Sequence, residues 1–121
     1  MTAIILSIFL QFQTQVLNTS KPLALCADPT VIHTSVLLSI CSENKNTALA
    51  YGICWSENPN PSIFDAFTIF NSDSNNFEFR VKNLKPETQY YFSFFELDQS
   101  GASTYFNAFQ VSIPRELKIG D

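Results

Sequence analysis

Residues 84–97, with the sequence LKPETQYYFSFFEL, contain the stretch that decides the fold. Residues 84–88 combine a proline with polar side chains, a composition typical of a turn. Residues 89–97 are rich in aromatic side chains, which favour a β-strand directly after that turn. Because the side chains of a strand alternate between its faces, this strand should carry apolar residues on both. One face should hold Tyr90, Phe92 and Phe94, and the other Tyr91 and Phe95.

Further short segments of β-forming residues lie on both sides of this strand, separated by polar turns. They predict strands over residues 23–27, 31–41, 47–56, 65–70, 76–84 and 104–113. The clearest alternation lies in residues 76–84, where Phe77, Phe79 and Val81 alternate with charged side chains. No stretch of ten residues shows the 3.6-residue period of a helix. About seven short strands joined by turns predict an all-β sandwich.

Two motifs resemble those of fibronectin type III domains. The segment LKPETQY at residues 84–90 resembles the L-x-P-x-T-x-Y pattern that opens strand F of these domains. The segment GICWSENPNP at residues 52–61 resembles the G-x-C-W-S-x-x-P-x-P signature of such domains in Bacteroidetes proteins. With NAF at residues 107–109, the resemblance covers about residues 23–114. It implies an immunoglobulin-like, fibronectin type III-like sandwich in which Leu84 is buried and the Tyr90 hydroxyl bonds to backbone just upstream, as a tyrosine corner.

The chain is predicted to divide into three parts. These are an N-terminal β-arm and linker (residues 1–22), the sandwich (residues 23–114) and a C-terminal tail (residues 115–121). Residues 3–10 are apolar enough for a signal peptide, but no Lys or Arg precedes them and no clear cleavage site follows. In residues 7–13 apolar and polar side chains begin to alternate, a pattern typical of a half-buried strand. We therefore expect residues 1–16 to be a strand or docking arm, with a leader as the alternative.

The composition is that of a chain with a substantial core and little charge. Hydrophobic residues make up 45% of the 121 residues and charged residues only 15%, which argues against disorder. The net charge is −4 and the seven Lys and Arg are scattered, so we expect neither nucleic acid nor an anionic membrane surface as a partner. The apolar N-terminal run is too short to insert across a membrane.

No catalytic, metal-binding or cofactor-binding constellation is visible, so the chain is not expected to be an enzyme. His33 is the only histidine, and neither a metal site nor a Ser-His-Asp triad can be assembled around it. Cys26, Cys41 and Cys54 contain no CxxC pair, and we expect them to be small buried residues. The sequence leaves open whether one pair of these cysteines, for example Cys41 and Cys54, forms a disulfide.

Aromatic residues, including twelve Phe, exceed what one small core needs. In the last strand Tyr105 and Phe109 should face the core, which leaves Phe106 outside. In the fold that the chain resembles, this strand shares a sheet with residues 89–97, so an exposed aromatic cluster is expected there. Contiguous exposed aromatic residues commonly form interfaces. The candidate partner-binding residues are Ile8, Phe9, Phe12, Tyr91, Phe95 and Phe106, unless the arm folds back and covers the cluster.

These observations favour a non-enzymatic structural or interaction protein with protein partners. Domains of the family that the chain resembles serve as spacers and binding modules, and as decorations on phage particles. Because the chain combines a lone domain, no convincing leader, a free thiol and surplus aromatic residues, we expect an accessory or decoration component of a larger assembly such as a phage capsid or tail. It would be located in the virion or assembled in the host cytoplasm. The alternative is a secreted or cell-surface adhesion or carbohydrate-binding module, in which Tyr91 and Trp55 would stack on sugar rings.

Overall fold

The computed structural model describes residues 22–42, 50–70 and 76–115. All regular secondary structure in these ranges is β. The strands lie close to the predicted segments, with bounds that differ by a few residues. They are β1 (Leu23–Leu25), β2 (Thr30–Ile32), β3 (Ser35–Ser42), β4 (Ala50–Ser56), β5 (Ala66–Phe70), β6 (Phe77–Val81), β7 (Thr88–Leu97) and β8 (Ser103–Ile113).

The strands form two antiparallel sheets. In the first sheet β3 is central: β6 pairs along one edge, while β1 and β2 pair with successive parts of the other. In the second sheet the order is β5-β4-β7-β8. Buried apolar residues of both sheets form a single cluster, so the sheets pack face to face. The immunoglobulin-like, fibronectin type III-like sandwich expected from the sequence is confirmed.

A tight turn divides the strand predicted over residues 31–41 into β2 and β3. His33 has a left-handed backbone conformation, with φ of 56°. The chain reverses there, so that Ile32 pairs with Ser35. The Ser35 hydroxyl donates a hydrogen bond of 2.8 Å to the Ile32 carbonyl. The prediction of one continuous strand was wrong because this turn contains neither Gly nor Pro, the residues that normally mark a reversal.

The core between the sheets is dominated by the aromatic rings of β7. Tyr90, Phe92 and Phe94 belong to the core cluster and Phe95 does not, which confirms the predicted alternation along this strand. The Phe92 ring stacks on Phe109 of β8 with 5.0 Å between centroids. Trp55 of β4 also stacks on the Phe92 ring, with 6.1 Å between centroids. Aliphatic side chains of the first sheet complete the core: Leu23, Val36, Leu38, Ile40 and Val81.

A bulge in β8 inverts the predicted facing of two aromatic residues. Phe92 and Phe94 are separated by one residue in β7, but their partners in β8, Phe109 and Phe106, are separated by two. The extra length is taken up at Asn107, whose φ is 51°. Phe106 therefore lies in the core, only 7% exposed, while Tyr105 lies on the opposite face, 38% exposed. The predictions that Phe106 points outward and Tyr105 inward were wrong, because one extra residue exchanges the two faces of a strand.

Two of the three cysteines are joined by a disulfide across the first sheet. Cys26, directly after β1, and Cys41, in β3, have Cα atoms 5.2 Å apart, within the range for a disulfide. Cys54 is free and buried. The expectation of small buried thiols is thus correct for Cys54 alone, and the Cys41–Cys54 pairing considered from the sequence is wrong.

The turn between β6 and β7 contains the tyrosine corner that the sequence motif implied. The Tyr90 hydroxyl accepts a hydrogen bond of 2.9 Å from the Lys85 amide. Leu84 is buried, and its amide donates a hydrogen bond of 2.9 Å to the Thr34 carbonyl in the β2–β3 turn. Both roles implied by the resemblance are confirmed, and the corner fastens the second sheet to a loop of the first.

Replacing Tyr90 by phenylalanine should remove this fastening with little change in shape. We expect the free energy of unfolding to fall by about 1–2 kcal/mol, because the partly buried Lys85 amide loses its acceptor. Urea denaturation measures the change, and Tyr91→Phe, on the neighbouring and half-buried tyrosine, is the matched control. Equal losses for the two variants would show that the corner has no special energetic role.

Candidate interaction surface

The outer face of the second sheet, which points away from the core, carries no charged side chain at any strand position. In a sheet with one face in water, polar side chains along each strand normally point to the solvent and alternate with apolar side chains that point to the core. The outer face of β6 in the first sheet does so, with exposed Glu78 and Arg80. The outer-face positions of the second sheet are Phe67, Ile69, Ala50, Gly52, Cys54, Ser56, Gln89, Tyr91, Ser93, Phe95, Leu97, Ser103, Tyr105, Ala108, Gln110 and Ser112.

Phe95 forms the centre of this face and is itself covered. It was predicted to be exposed, and it does point away from the core, yet its exposed fraction is 0%. Its ring lies over Gly52 of the neighbouring β4: a Cβ added there would stand 2.6 Å from the Phe95 ring and would also strike the Thr68 carbonyl. Phe67 and Tyr105 flank the ring at centroid distances of 6.2 and 6.5 Å. The exposure predicted for Phe95 was wrong because these neighbours form a second, smaller packing layer.

The loop of residues 57–65, between β4 and β5, is fixed onto this face by hydrogen bonds. The Ile63 amide donates to the Tyr105 hydroxyl at 3.1 Å. Within the loop, the Ser62 amide donates to the Asp65 carboxylate at 2.9 Å. Tyr105 therefore supports the loop with its hydroxyl while its ring supports Phe95.

Cys54 lies on the outer face but is not available as a nucleophile. Its side chain is fully buried, and its thiol donates a hydrogen bond of 3.4 Å to the Ser93 carbonyl. Burial, and to a smaller extent the nearby Asp65 carboxylate, raises the pKa of the Cys54 thiol to about 11. The thiol therefore stays protonated at neutral pH and acts as a small packing group.

Four large side chains around this layer remain exposed and form what we call the apolar patch. Phe64, in the loop, is 93% exposed, and Phe67 and Ile69 of β5 are about half exposed. Tyr105 closes the patch on the β8 side. None of the four was among the partner-binding residues predicted from the sequence, and Tyr105 had been expected in the core. A signal was present, since β5 has the sequence AFTIF and is uncharged although it lies at a sheet edge.

Two shallow grooves extend the patch along β7 and β8. One, of about 270 Å³, is lined by Pro59, Pro61, Tyr105 and Ala108 among others. The other, of about 190 Å³, lies between Pro59 and the side chain of Tyr91. Both are lined mainly by apolar and uncharged groups, so they continue the character of the patch.

The residues predicted to bind a partner are thus only partly brought together. Tyr91 lies half-buried on the outer face. Phe95 lies beneath the patch and supports it, and Phe106 belongs to the core. Ile8, Phe9 and Phe12 lie outside the described residues, so their role stays a prediction.

The described residues contain neither a cluster of metal ligands nor a membrane-spanning helix. Within residues 22–42, 50–70 and 76–115, no three His, Cys, Asp or Glu side chains are grouped so as to hold a metal ion. In the same part of the chain, no helix is long and apolar enough to cross a membrane. His33 is exposed in its turn.

Comparison with solved structures shows the class to which the fold belongs. The FN1–FN3 domains of chicken CNTN1 match with a TM-score of 0.54 and 12% sequence identity, over 76% of this chain and 31% of that one. The chain therefore spans about a third of that structure. The sixth fibronectin type III domain of human fibronectin type III domain containing protein 3 matches at 18% identity, over 86% of this chain and 96% of that one, with a TM-score of 0.47.

The fold is that of a fibronectin type III domain, a β-sandwich. No family model matches the chain, and no curated protein matches it. Since one fold supports many functions, the function has to be argued from the surface described above.

Proposed function

We propose that this chain is a non-enzymatic protein-interaction module of a larger assembly and contacts a partner protein through the apolar patch. The observation that carries the proposal is the exposure of large apolar side chains on a sheet face without charged positions. Apolar surface left in water costs about 25 cal/mol per Å², and contiguous exposed aromatic residues commonly mark interfaces. Phe64 is the clearest case, because it contributes almost nothing to the chain's own packing.

The patch is also held in a fixed shape, which favours tight binding. The hydrogen bond from Ile63 to Tyr105 anchors the loop that carries Phe64. The buried Phe95 ring fixes Phe67 and Tyr105 from below. A surface that is already ordered loses less conformational entropy when a partner docks.

The disulfide bears on where such an assembly would be found. Disulfides persist in oxidising compartments and on the surfaces of cells and virions, and they are rare in the reducing cytosol. The Cys26–Cys41 bond therefore supports an assembly at the surface of a cell or of a particle such as a phage virion. It gives less support to a protein that works in the host cytoplasm.

A carbohydrate-binding role has weaker support. It requires flat aromatic rings open to solvent, and Trp55 instead stacks on Phe92, makes a tilted contact with Phe79 and is partly buried against the core. Tyr91 beside Pro59 remains, but one half-buried ring is a small platform for a sugar.

Removing the patch should abolish partner binding and leave the fold intact. The full-length chain and its Phe64→Ser/Ile69→Ser variant are used as baits in extracts of the source, and captured proteins are then purified and titrated pairwise by calorimetry. We expect the variant to bind at least about 30-fold more weakly, since two central apolar contacts of a hot spot carry about 2 kcal/mol or more.

The matched control is Glu78→Ser/Arg80→Ser, which changes two exposed residues on the opposite outer face. Both variants should unfold within about 0.5 kcal/mol of the unmodified chain, because the altered side chains are exposed. A partner that binds the patch variant and the control equally well would refute the proposed surface.

A further inference from the structure

Among the described residues, the free edge of β5 carries none of the features that usually block a further strand. β5 (Ala66–Phe70) pairs with β4 along one edge, and no strand of the described residues pairs along its other edge. Natural edge strands are normally protected by charged side chains, proline or a bulge. β5 has the sequence AFTIF, its register with β4 is regular, and Phe67 and Ile69 are half exposed. Such an edge is suited to accept an added strand.

The chain itself contains one segment with the matching chemistry. Outside the described ranges lie residues 1–21, 43–49, 71–75 and 116–121. Each of the last three segments contains at least one charged residue within a span of at most seven, whereas the one charged side chain of residues 1–21 is Lys21, at its end. Residues 2–20 contain no Asp, Glu, Lys or Arg. When an uncharged segment docks on the uncharged outer face, no charged group has to leave water. Burial of an unpaired charge, which is costly, is thereby avoided.

The alternation in residues 7–13 fits this position in detail. In an added strand, Ile8, Leu10 and Phe12 would share one face and lie beside Phe67 and Ile69. Phe9 would then point to the other side of the sheet, toward half-buried Phe70. Phe9, the one apolar residue on the otherwise polar face of this segment, would thereby also be covered.

The place where the described chain begins favours a second copy as the source of the strand. Leu23 pairs with Ser42 in the first sheet, and its carbonyl accepts a hydrogen bond of 2.9 Å from the Asn107 side chain of β8. β8 and β5 are the opposite edges of the second sheet, three strand spacings or about 15 Å apart. Leu23 therefore lies at the edge away from β5, and a strand formed by residues 7–13 would have to pass across the whole second sheet to reach the β5 of its own copy.

We infer that residues 7–13 of a second copy of this chain add to the free edge of β5 and cover the Phe67–Ile69 side of the apolar patch. This inference rests on the proposed function, because it names the partner at that same surface. Repeated head-to-tail, such strand donation would link copies into a larger assembly.

A mixing experiment tests the donation directly. An acceptor chain carrying Ile8→Lys/Phe12→Lys is labelled with ¹⁵N, so that its own arm cannot dock, and is mixed with excess unlabelled full-length chain. Exchange of the β5 amides that do not bond to β4 is followed by NMR. We expect their exchange to slow about tenfold or more when the unmodified donor is added, because an added strand would bond them.

Two further donors provide the controls. A Thr14→Lys/Asn18→Lys donor, with the same added charge outside residues 7–13, should protect the acceptor equally, while an Ile8→Lys/Phe12→Lys donor should not. The inference is overturned if no donor slows exchange, if the unmodified chain is protected at high dilution with its own arm, or if intact-mass measurement shows that the mature protein lacks these residues. Capture of a different protein by the patch in that case would leave the proposed function standing.

Discussion

Replacing Phe95 by alanine is expected to lower the free energy of unfolding by about 3 kcal/mol or more, the range of buried Phe→Ala substitutions. The residue lies on the outer face of a sheet, where truncation normally costs little. Its ring is nevertheless fully buried, packed over Gly52 and flanked by Phe67 and Tyr105. Its removal should leave a hollow over the Gly52 backbone and free both neighbouring rings to move.

Urea denaturation of Phe95→Ala measures this loss, and Phe64→Ala is the matched control. The two residues belong to the same surface, but Phe64 is 93% exposed, so its truncation should change stability by no more than about 0.5 kcal/mol. Near-equal effects would mean that the outer face is an ordinary solvated surface without a packing layer. The contrast also separates the residues that shape the patch from those available to a partner.

The fold was predictable because its signals are local. The LKPETQY segment encodes a turn and the start of a strand within seven residues, and the tyrosine corner then depends only on Tyr90 reaching back to Lys85. Alternation in β7 likewise identified Phe92 and Phe94 as core residues. Each of these features is fixed by sequence neighbours and needs no knowledge of how the sheets meet.

The candidate surface was less predictable because it depends on register between strands. The bulge at Asn107 exchanges the faces of Tyr105 and Phe106, and sequence alternation alone does not locate such an insertion. A signal did exist, since Phe106 is out of phase with Phe109 and is followed by Asn, a residue that tolerates left-handed backbone. Burial of Phe95 likewise depends on Gly52 lying opposite it across the β4–β7 pair.

The disulfide pairing was unpredictable for the same reason. Three cysteines allow three pairings, and the choice follows from β1 pairing with β3 so that Ala24 lies opposite Cys41. Cys26 is held two residues further on, where its amide donates a hydrogen bond of 2.8 Å to the Ser39 carbonyl. The third cysteine, Cys54, lies in the other sheet.

Loss of this disulfide is expected to be the other large single effect on stability. The bond closes a loop with a sequence separation of 15, for which the reduction in unfolded-chain entropy corresponds to about 3 kcal/mol. β1 has only three residues and, among the strands that the structure describes, pairs with β3 alone, so the cross-link also holds this strand and Leu23 of the core in place. The double variant Cys26→Ala/Cys41→Ala should lose about that amount in urea denaturation.

Two measurements separate the cross-link from the side chains that form it. The unmodified chain in reducing buffer should lose the same stability as the double variant, and the double variant should be insensitive to reductant. Thiol titration should find no reactive group in the native, unreduced chain, because burial raises the pKa of the Cys54 thiol to about 11 and shields it from reagent. It should find one thiol after denaturation and all three after reduction as well. Three thiols in the denatured, unreduced chain would show that the bond does not form, and would remove the support it gives to a location outside the cytosol.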